Sequence, residues 1–353
     1  MKVDMFVKNV ILKKGDSIML GILEKSMLSL RSLSLFVAIT YFISIAGDAP
    51  KSLFPASHAI DFDTSMEMTK EWLDSCLPKS KRSSIKEVQE EFSFLERLYQ
   101  QNNLSKIPHL ATPLIPKILH QIWIGPNTPP EIFKKSQESI KKYMPGWEYK
   151  LWKDADIAKL KLENQKYYDL ASNYGEKSDI ARYEILYRFG GLYLDVDFVC
   201  LKPFDILHHS YDFYTGIMPL DCQATIANGI IGSAQGHPIL RDCIDTIPDD
   251  GTKNKKILIR SGPIHFQKSF LKIGKDYKGP FVAFPKSFFF PIDLKERDSK
   301  HKLPLNKLLK PECFAIHYWS TSWLNTHAKK KNITRGREIK RHNWLNMHDM
   351  LSP

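Results

Sequence analysis

Asp195 and Asp197 stand one residue apart in "LYLDVDFV", an apolar run behind Gly190 and Gly191. An ionised carboxylate in such surroundings is costly unless a cation or a proton meets it. Strand periodicity puts Leu192, Leu194 and Val196 on one face and Tyr193, Asp195 and Asp197 on the other. The two acids then lie about 6–7 Å apart along the chain, within reach of one cation or its ligands. Structural acids that cap a helix or pair with lysines fit this spacing. A glycosidase acid and base also meet it, but those groups flank a bond from opposite sides, whereas these two share a strand face. Carboxylates that grip a divalent ion are the third chemistry.

The surroundings favour the ion. Asp179 and Arg182 are three apart and share a helix face, so the stretch reads S-D-x-x-R-Y-x-x-L-x-x-x-G-G-x-Y-x-D-x-D. An ion held by carboxylates on one side and phosphate oxygens on the other would neutralise a diphosphate leaving group. A guanidinium suits the same oxyanions. "LYLDVDFV" is also similar to the D-x-D-x-[TV] strand of haloacid-dehalogenase-like phosphatases, in which the first aspartate, here Asp195, is the nucleophile. In that family the strand usually opens the domain; here it falls mid-chain.

Six blocks extend the pattern: "IPKILHQIWIG", "PGWEYKLW", "SDIARYEILYRFGGLYLDVDF", "NGIIGSAQGHP", "SGP" and "HYWSTSW". In this order they resemble the glycosyltransferases with a DXD sugar-binding region. That family includes fungal initiating α-1,6-mannosyltransferases and bacterial sugar transferases, with the large clostridial glucosylating toxins as distant relatives. The resemblance covers roughly residues 115–325. It implies a GT-A fold, a nucleotide-sugar donor (GDP-mannose or a UDP-hexose), Mn²⁺ or Mg²⁺, retention of anomeric configuration, and a glycan, lipid or protein acceptor. It further implies that Trp123 stacks on the nucleobase, and that Asp179 and Arg182 bind sugar hydroxyls and phosphate. Asp195 and Tyr193 would meet the ribose and sugar, and Asn228 would border the sugar. Asp197 would ligate the metal with His317 and Asp195, and Ser322 and Trp323 would close over the diphosphate. The chain departs from the pattern at the D-V-D-F pair and at Tyr318, where many members carry a second histidine.

These groups must be positioned by alternating elements. "KILHQIWIG" (117–125) and "WEYKLW" (147–152) read as strands, and 178–191 as a helix stopped by glycine that feeds "LYLDVDFV". "TIANGIIGS" (225–233), a helix from about His237 to Ile247, and the segments 261–271, 280–285 and 313–323 follow. The alternation predicts an α/β domain over 112–325, and the resemblance implies that its sheet binds the nucleotide-sugar and carries helices on both faces. Upstream, 48–111 reads as a linker and a helical extension. In it Ile85, Val88, Phe92, Leu95 and Tyr99 recur at helical spacing, with Ser84 and Glu87 as a capping box. Residues 326–353 form a basic tail.

Bulk properties bound the partners. In 353 residues, 43% hydrophobic content excludes wholesale disorder, and a net charge of +12 points to an anionic partner. Nucleic acid is not the expected one, since the lysines are scattered. The five cysteines, widely spaced with no CxxC, argue against a zinc knuckle or a disulfide framework and leave room for one bridge. Residues 1–47 contain a charge-free stretch, "SLSLFVAITYFISIAG" (32–47), after Arg31, which predicts a signal peptide or membrane anchor, its start at Met1 or Met27. The chain is accordingly expected to be exported or membrane-anchored: Golgi type II in a eukaryote, envelope or secreted in a bacterium.

Overall fold

The computed structural model describes residues 60–67, 82–220, 223–247, 257–292 and 305–320. The expected targeting segment and basic tail, with Ser322 and Trp323, lie outside the described residues. Helices α1 (Phe62–Met66) and α2 (Arg82–Asn102) precede β1 (Ile118–Ile122), α3 (Glu131–Tyr143) and β2 (Glu148–Trp152). Next come α4 (Asp154–Leu160), α5 (Gln165–Leu170), α6 (Tyr174–Phe189), β3 (Gly191–Leu194) and β4 (Phe198–Cys200). Then follow α7 (Asp205–Ser210), β5 (Phe213–Leu220), β6 (Gln223–Ser233), α8 (Pro238–Asp245), α9 (Ile257–Arg260) and α10 (Pro263–Gly274). β7 (Phe281–Phe284), a 3₁₀ turn (Lys286–Phe288), α11 (Leu305–Leu308) and β8 (Ala315–His317) complete the order.

Six strands form a mixed sheet in the order β2-β1-β3-β6-β5-β7. β1 lies parallel to both β2 and β3, and β5 parallel to β7; β6 runs antiparallel to its neighbours β3 and β5. This is the α/β arrangement that the alternating pattern predicts. The central β3 and the edge strand β7 both read as continuous apolar runs because both faces are covered: every residue of the two strands is buried.

The helix–strand junction that leads to the aspartates depends on its glycines. Asn173 caps the start of α6, its side chain accepting from Gly175 N at 2.7 Å. Gly190 ends the helix at φ +63°, its N–H donating to Leu186 O. Gly191 follows at φ +102°, where any Cβ would collide with Ile118 O of β1. Two successive left-handed residues, one pressed against a neighbouring strand, admit only glycine.

Two expectations change. β3 stops at Leu194, so Asp195 and Asp197 do not share a strand face. They occupy a turn closed by Phe198 N donating to Asp195 O at 3.1 Å. Beyond it β4 leaves the main sheet and pairs antiparallel with β8, placing Phe198 opposite His317. The ladder ends there because β6, the partner of β3, bulges just before the residue opposite Leu194. Second, residues 60–67 are not a linker. Phe62 packs edge-on against Phe92 of α2 at 5.4 Å, and Met66 Sδ accepts from Lys286 N at 3.3 Å. A five-residue helix is too short to show periodicity, so sequence reading passes over it.

Cys200, Cys243 and Cys313 are free and buried; the other two cysteines lie outside the described residues. Among the described residues no helix is long and apolar enough to cross a membrane.

Candidate active site

The first group of side chains joins α6 to β6. Arg182 is buried, and its guanidinium pairs with Asp179 Oδ1 at 3.1 Å and Asp195 Oδ1 at 3.3 Å. Its Nη1 also donates to Asn228 O at 2.6 Å, and the guanidinium lies over the Tyr193 ring at 4.4 Å. Asn228 returns the link through its amide, which donates to Asp179 Oδ1 at 2.8 Å and to Tyr183 Oη at 3.1 Å. Ser261 Oγ donates to Asp179 Oδ2 at 3.3 Å, and Tyr183 Oη donates to Ser261 O at 2.6 Å. Every polar group here meets a partner, as burial requires. Burial nevertheless pushes the Asp179 carboxyl up to about 7, outweighing the pull of Arg182.

The second group sits on the turn after β3. Asp195 N donates to Gly229 O at 2.8 Å, and Tyr193 Oη donates to Asp195 Oδ1 at 2.8 Å. A Cβ on Gly229 would stand 2.6 Å from Asp195 Oδ2, so a glycine there makes room for the carboxylate. Asp197 Oδ1 lies 3.1 Å from His317 Nε2, and Asp197 Oδ2 accepts from Ser320 N at 2.7 Å. Burial works to raise the Asp197 pKa, but the His317 imidazole and the Ser320 N–H hold it at about 2. The reverse applies to His317: burial works against its charge, and Asp197 carries its pKa above the usual imidazole value. Asp195 is raised, first by burial and then by its neighbour Asp197, with Arg182 opposing.

One ligand atom from each of Asp195, Asp197 and His317 lies within 4.8 Å of the other two. Two carboxylate oxygens and an imidazole nitrogen form a donor set suited to Mn²⁺, and to Mg²⁺ with water or phosphate completing the shell. The residues present therefore fit a divalent ion.

Of the residues named from sequence, Asp179, Arg182, Tyr193, Asp195, Asp197, Asn228 and His317 converge. Trp123 stands outside this cluster. Its indole donates to Asn127 O at 2.9 Å and stacks with Phe133 just past the end of β1. Ser322 and Trp323 lie outside the described residues. The sequence reading left out Tyr183, Ser261 and Gln121, whose side-chain amide donates to Asp195 O at 3.4 Å. A signal was available for all three, since they lie within the quoted blocks "S-D-x-x-R-Y", "SGP" and "IPKILHQIWIG". Gly229 follows Asn228 in "NGIIGSAQGHP", where a glycine lets the backbone come close to a neighbouring group.

Residues 130–214 match the family described as glycosyltransferase sugar-binding region containing DXD motif. Over 138 residues the chain is 34% identical to inositol phosphoceramide mannosyltransferase 3 of Schizosaccharomyces pombe, covering 38% of this chain and 37% of that one. Over 226 residues it is 30% identical to inositol phosphoceramide mannosyltransferase 1 of the same yeast, covering 61% of this chain and 64% of that one. The chain thus spans less than two thirds of either relative. A solved structure, the catalytic domain of alpha-toxin from Clostridium novyi, is similar at 10% identity and a TM-score of 0.43, over 83% of this chain and 98% of that one. The match spans residues 130–214, which carry Asp179, Arg182, Tyr193, Asp195 and Asp197 on one helix, strand and turn, and so includes the aspartate pair of the DXD motif.

Proposed function

We propose that the chain is a metal-dependent, retaining glycosyltransferase that moves a hexose from a nucleotide-sugar donor to a lipid, glycan or protein acceptor. The observation that carries this reading is the convergence of Asp195, Asp197 and His317 beside a charge-balanced Asp179–Arg182 pair in the matched region. A divalent ion held by Asp197, His317 and Asp195 would supply the positive charge that a departing nucleoside diphosphate needs. The chain's own residues do the rest. Arg182, fixed by Asn228 O and Asp179, orients the Asp195 carboxylate, and it is assigned to the donor's sugar and phosphate. Asp179 and the Asn228 amide, already joined, offer an acceptor and a donor to sugar hydroxyls. Trp123 is assigned to the nucleobase, and Ser322 with Trp323 to covering the diphosphate.

The names of the yeast relatives favour mannose as the sugar and an inositol phosphoceramide-like lipid as the acceptor. GDP-mannose is therefore placed ahead of a UDP-hexose. Residues 27–46 are assigned to export or membrane anchoring, which a fused reporter would test. The decisive experiment incubates the full chain with a panel of sugar nucleotides, with and without Mn²⁺, and measures nucleoside diphosphate release. Metal-dependent release, strongest with GDP-mannose, is expected. Silence on every sugar nucleotide, together with hydrolysis of small phosphate esters, would transfer the site to phosphatase chemistry through Asp195.

A further inference from the structure

We infer that Thr215 is a positioning residue whose hydroxyl pins the bulge of β6 and so holds Asn228 and Gly229 against Arg182, Asp179 and Asp195. Pairing between β5 and β6 runs from Phe213 to Thr215, the last opposite Ile231, and resumes at Ile217 opposite Ile226. One residue of β5, Gly216, therefore faces four of β6, Ala227 to Ile230. A bulge of this kind takes backbone groups out of the ladder and re-aims side chains, and buried carbonyls need other partners.

The carbonyls of the bulge show where they went. Asn228 O receives Arg182 Nη1 at 2.6 Å, and Gly229 O receives Asp195 N at 2.8 Å. The two shoulder carbonyls, Ala227 O and Ile230 O, converge on one atom: Thr215 Oγ1, at 2.7 and 2.8 Å. Thr215 is fully buried, so water cannot replace that hydroxyl. It carries a single proton, which lies between two carbonyl oxygens and ties the ends of the loop together. The recorded hydrogen bonds of Thr215 Oγ1 go to those two carbonyls and to none of the site side chains, so its action on the site runs through the bulge. Without the hydroxyl, a shoulder carbonyl is left unpaired in the core, and the segment between has no reason to keep its present path.

The functional half of this inference rests on the reading of the site as a donor pocket, and the test separates the two. Wild type, Thr215→Val and Thr215→Ser are compared in the full chain. Ile157→Val, which thins the core under α4, serves as the control for general destabilisation. Two readouts are taken: amide hydrogen exchange at Asp195 and across 227–230, and KM and kcat for donor cleavage with Mn²⁺. Thr215→Val should speed exchange at those amides and raise donor KM about tenfold, the size expected for one buried hydrogen-bonding group left unpaired, with kcat affected less. Thr215→Ser should restore both, and Ile157→Val should alter neither. If Thr215→Val does not fold, Thr215→Cys, with its weak S–H donor, takes its place. Should wild type cleave no sugar nucleotide, the donor-pocket reading fails, and the exchange comparison still decides what Thr215 holds. Unchanged exchange in the valine variant, or a serine variant no better than valine, overturns the inference.

Discussion

Histidine is buried in two opposite ways at the two ends of this molecule. Where β1 and β5 begin, His208 sits among neutral partners: Nδ1 lies 3.1 Å from Ile115 O and Nε2 3.1 Å from Tyr214 Oη. Burial drives its pKa down to about 3, despite Asp205 nearby, so it is a neutral core residue. Beyond the end of β3, His317 is equally enclosed but faces Asp197, and its pKa moves up. Burial alone discharges an imidazole; burial beside carboxylates charges it. At one end the fold uses histidine to fill space, and at the other it sets histidine beside two carboxylates, the group proposed above to hold a divalent ion.

The largest effect should come from removing the charge that makes the difference. Asp197→Asn should reduce turnover by roughly three orders of magnitude while the fold survives, since the ion carries the leaving-group charge. Manganese titration followed by electron paramagnetic resonance should show weakened binding. Near-normal turnover with unchanged manganese affinity would remove Asp197 from the ligand set. Next, Arg182→Ala leaves the buried carboxylate of Asp179 and the half-buried one of Asp195 without their cation and should cost about 3–5 kcal/mol of unfolding free energy. Adding Asp179→Asn should recover part of the loss; a double variant no more stable than the single would show that the pair is not coupled.

At the neutral end, acid is the probe. The His208 pKa lies below that of a free imidazole, so the unfolded chain takes up the proton first. Its stability contribution is fully present above pH 6.5 and is lost as pH falls from there towards 3. His120, bound to Gly190 O and Trp152 Nε1 and lowered by burial to about 4, acts in the same sense. Each should steepen the urea stability curve by about 1.4 kcal/mol per pH unit within its window. A His208→Asn variant that kept the full slope would contradict this. The smallest effect is expected for His317→Ala: about tenfold more Mn²⁺ for half-maximal turnover, with kcat largely kept at saturation.

The contrast also marks what the sequence could reveal. Asp179, Arg182, Asp195 and Asp197 were legible because their spacing is local: one helix face, a glycine stop, one strand and its end. His317 was legible only through its block, since nothing local says that β8 returns to pair with β4. The end of β3 was misread because alternation continues through "LYLDVDFV" in the residue types, and what stops the strand is a bulge in β6, far along the chain. Ser261 and Thr215 act through contacts with residues that are distant in sequence. Asn103 shows a similar limit: an N-x-S sequon by residue type, it is buried with Oδ1 accepting from Ser105 Oγ at 2.6 Å.

The seating of α1 has a practical consequence for where the chain can be cut. Phe62 and Met66 cover Phe92, Tyr99 and the Lys286–Phe288 turn, while Ser65 hydrogen-bonds Ser287, which in turn donates to buried Glu312. Phe288 O and Phe289 O, in and just after that turn, receive Phe314 N and His317 N, so the helix braces the strand that carries His317. A recombinant fragment begun at residue 68, or at the first strand, would expose this apolar seat to solvent and invite aggregation during purification. The shortest useful fragment therefore starts upstream of Asp61, which caps the helix through Thr64 N.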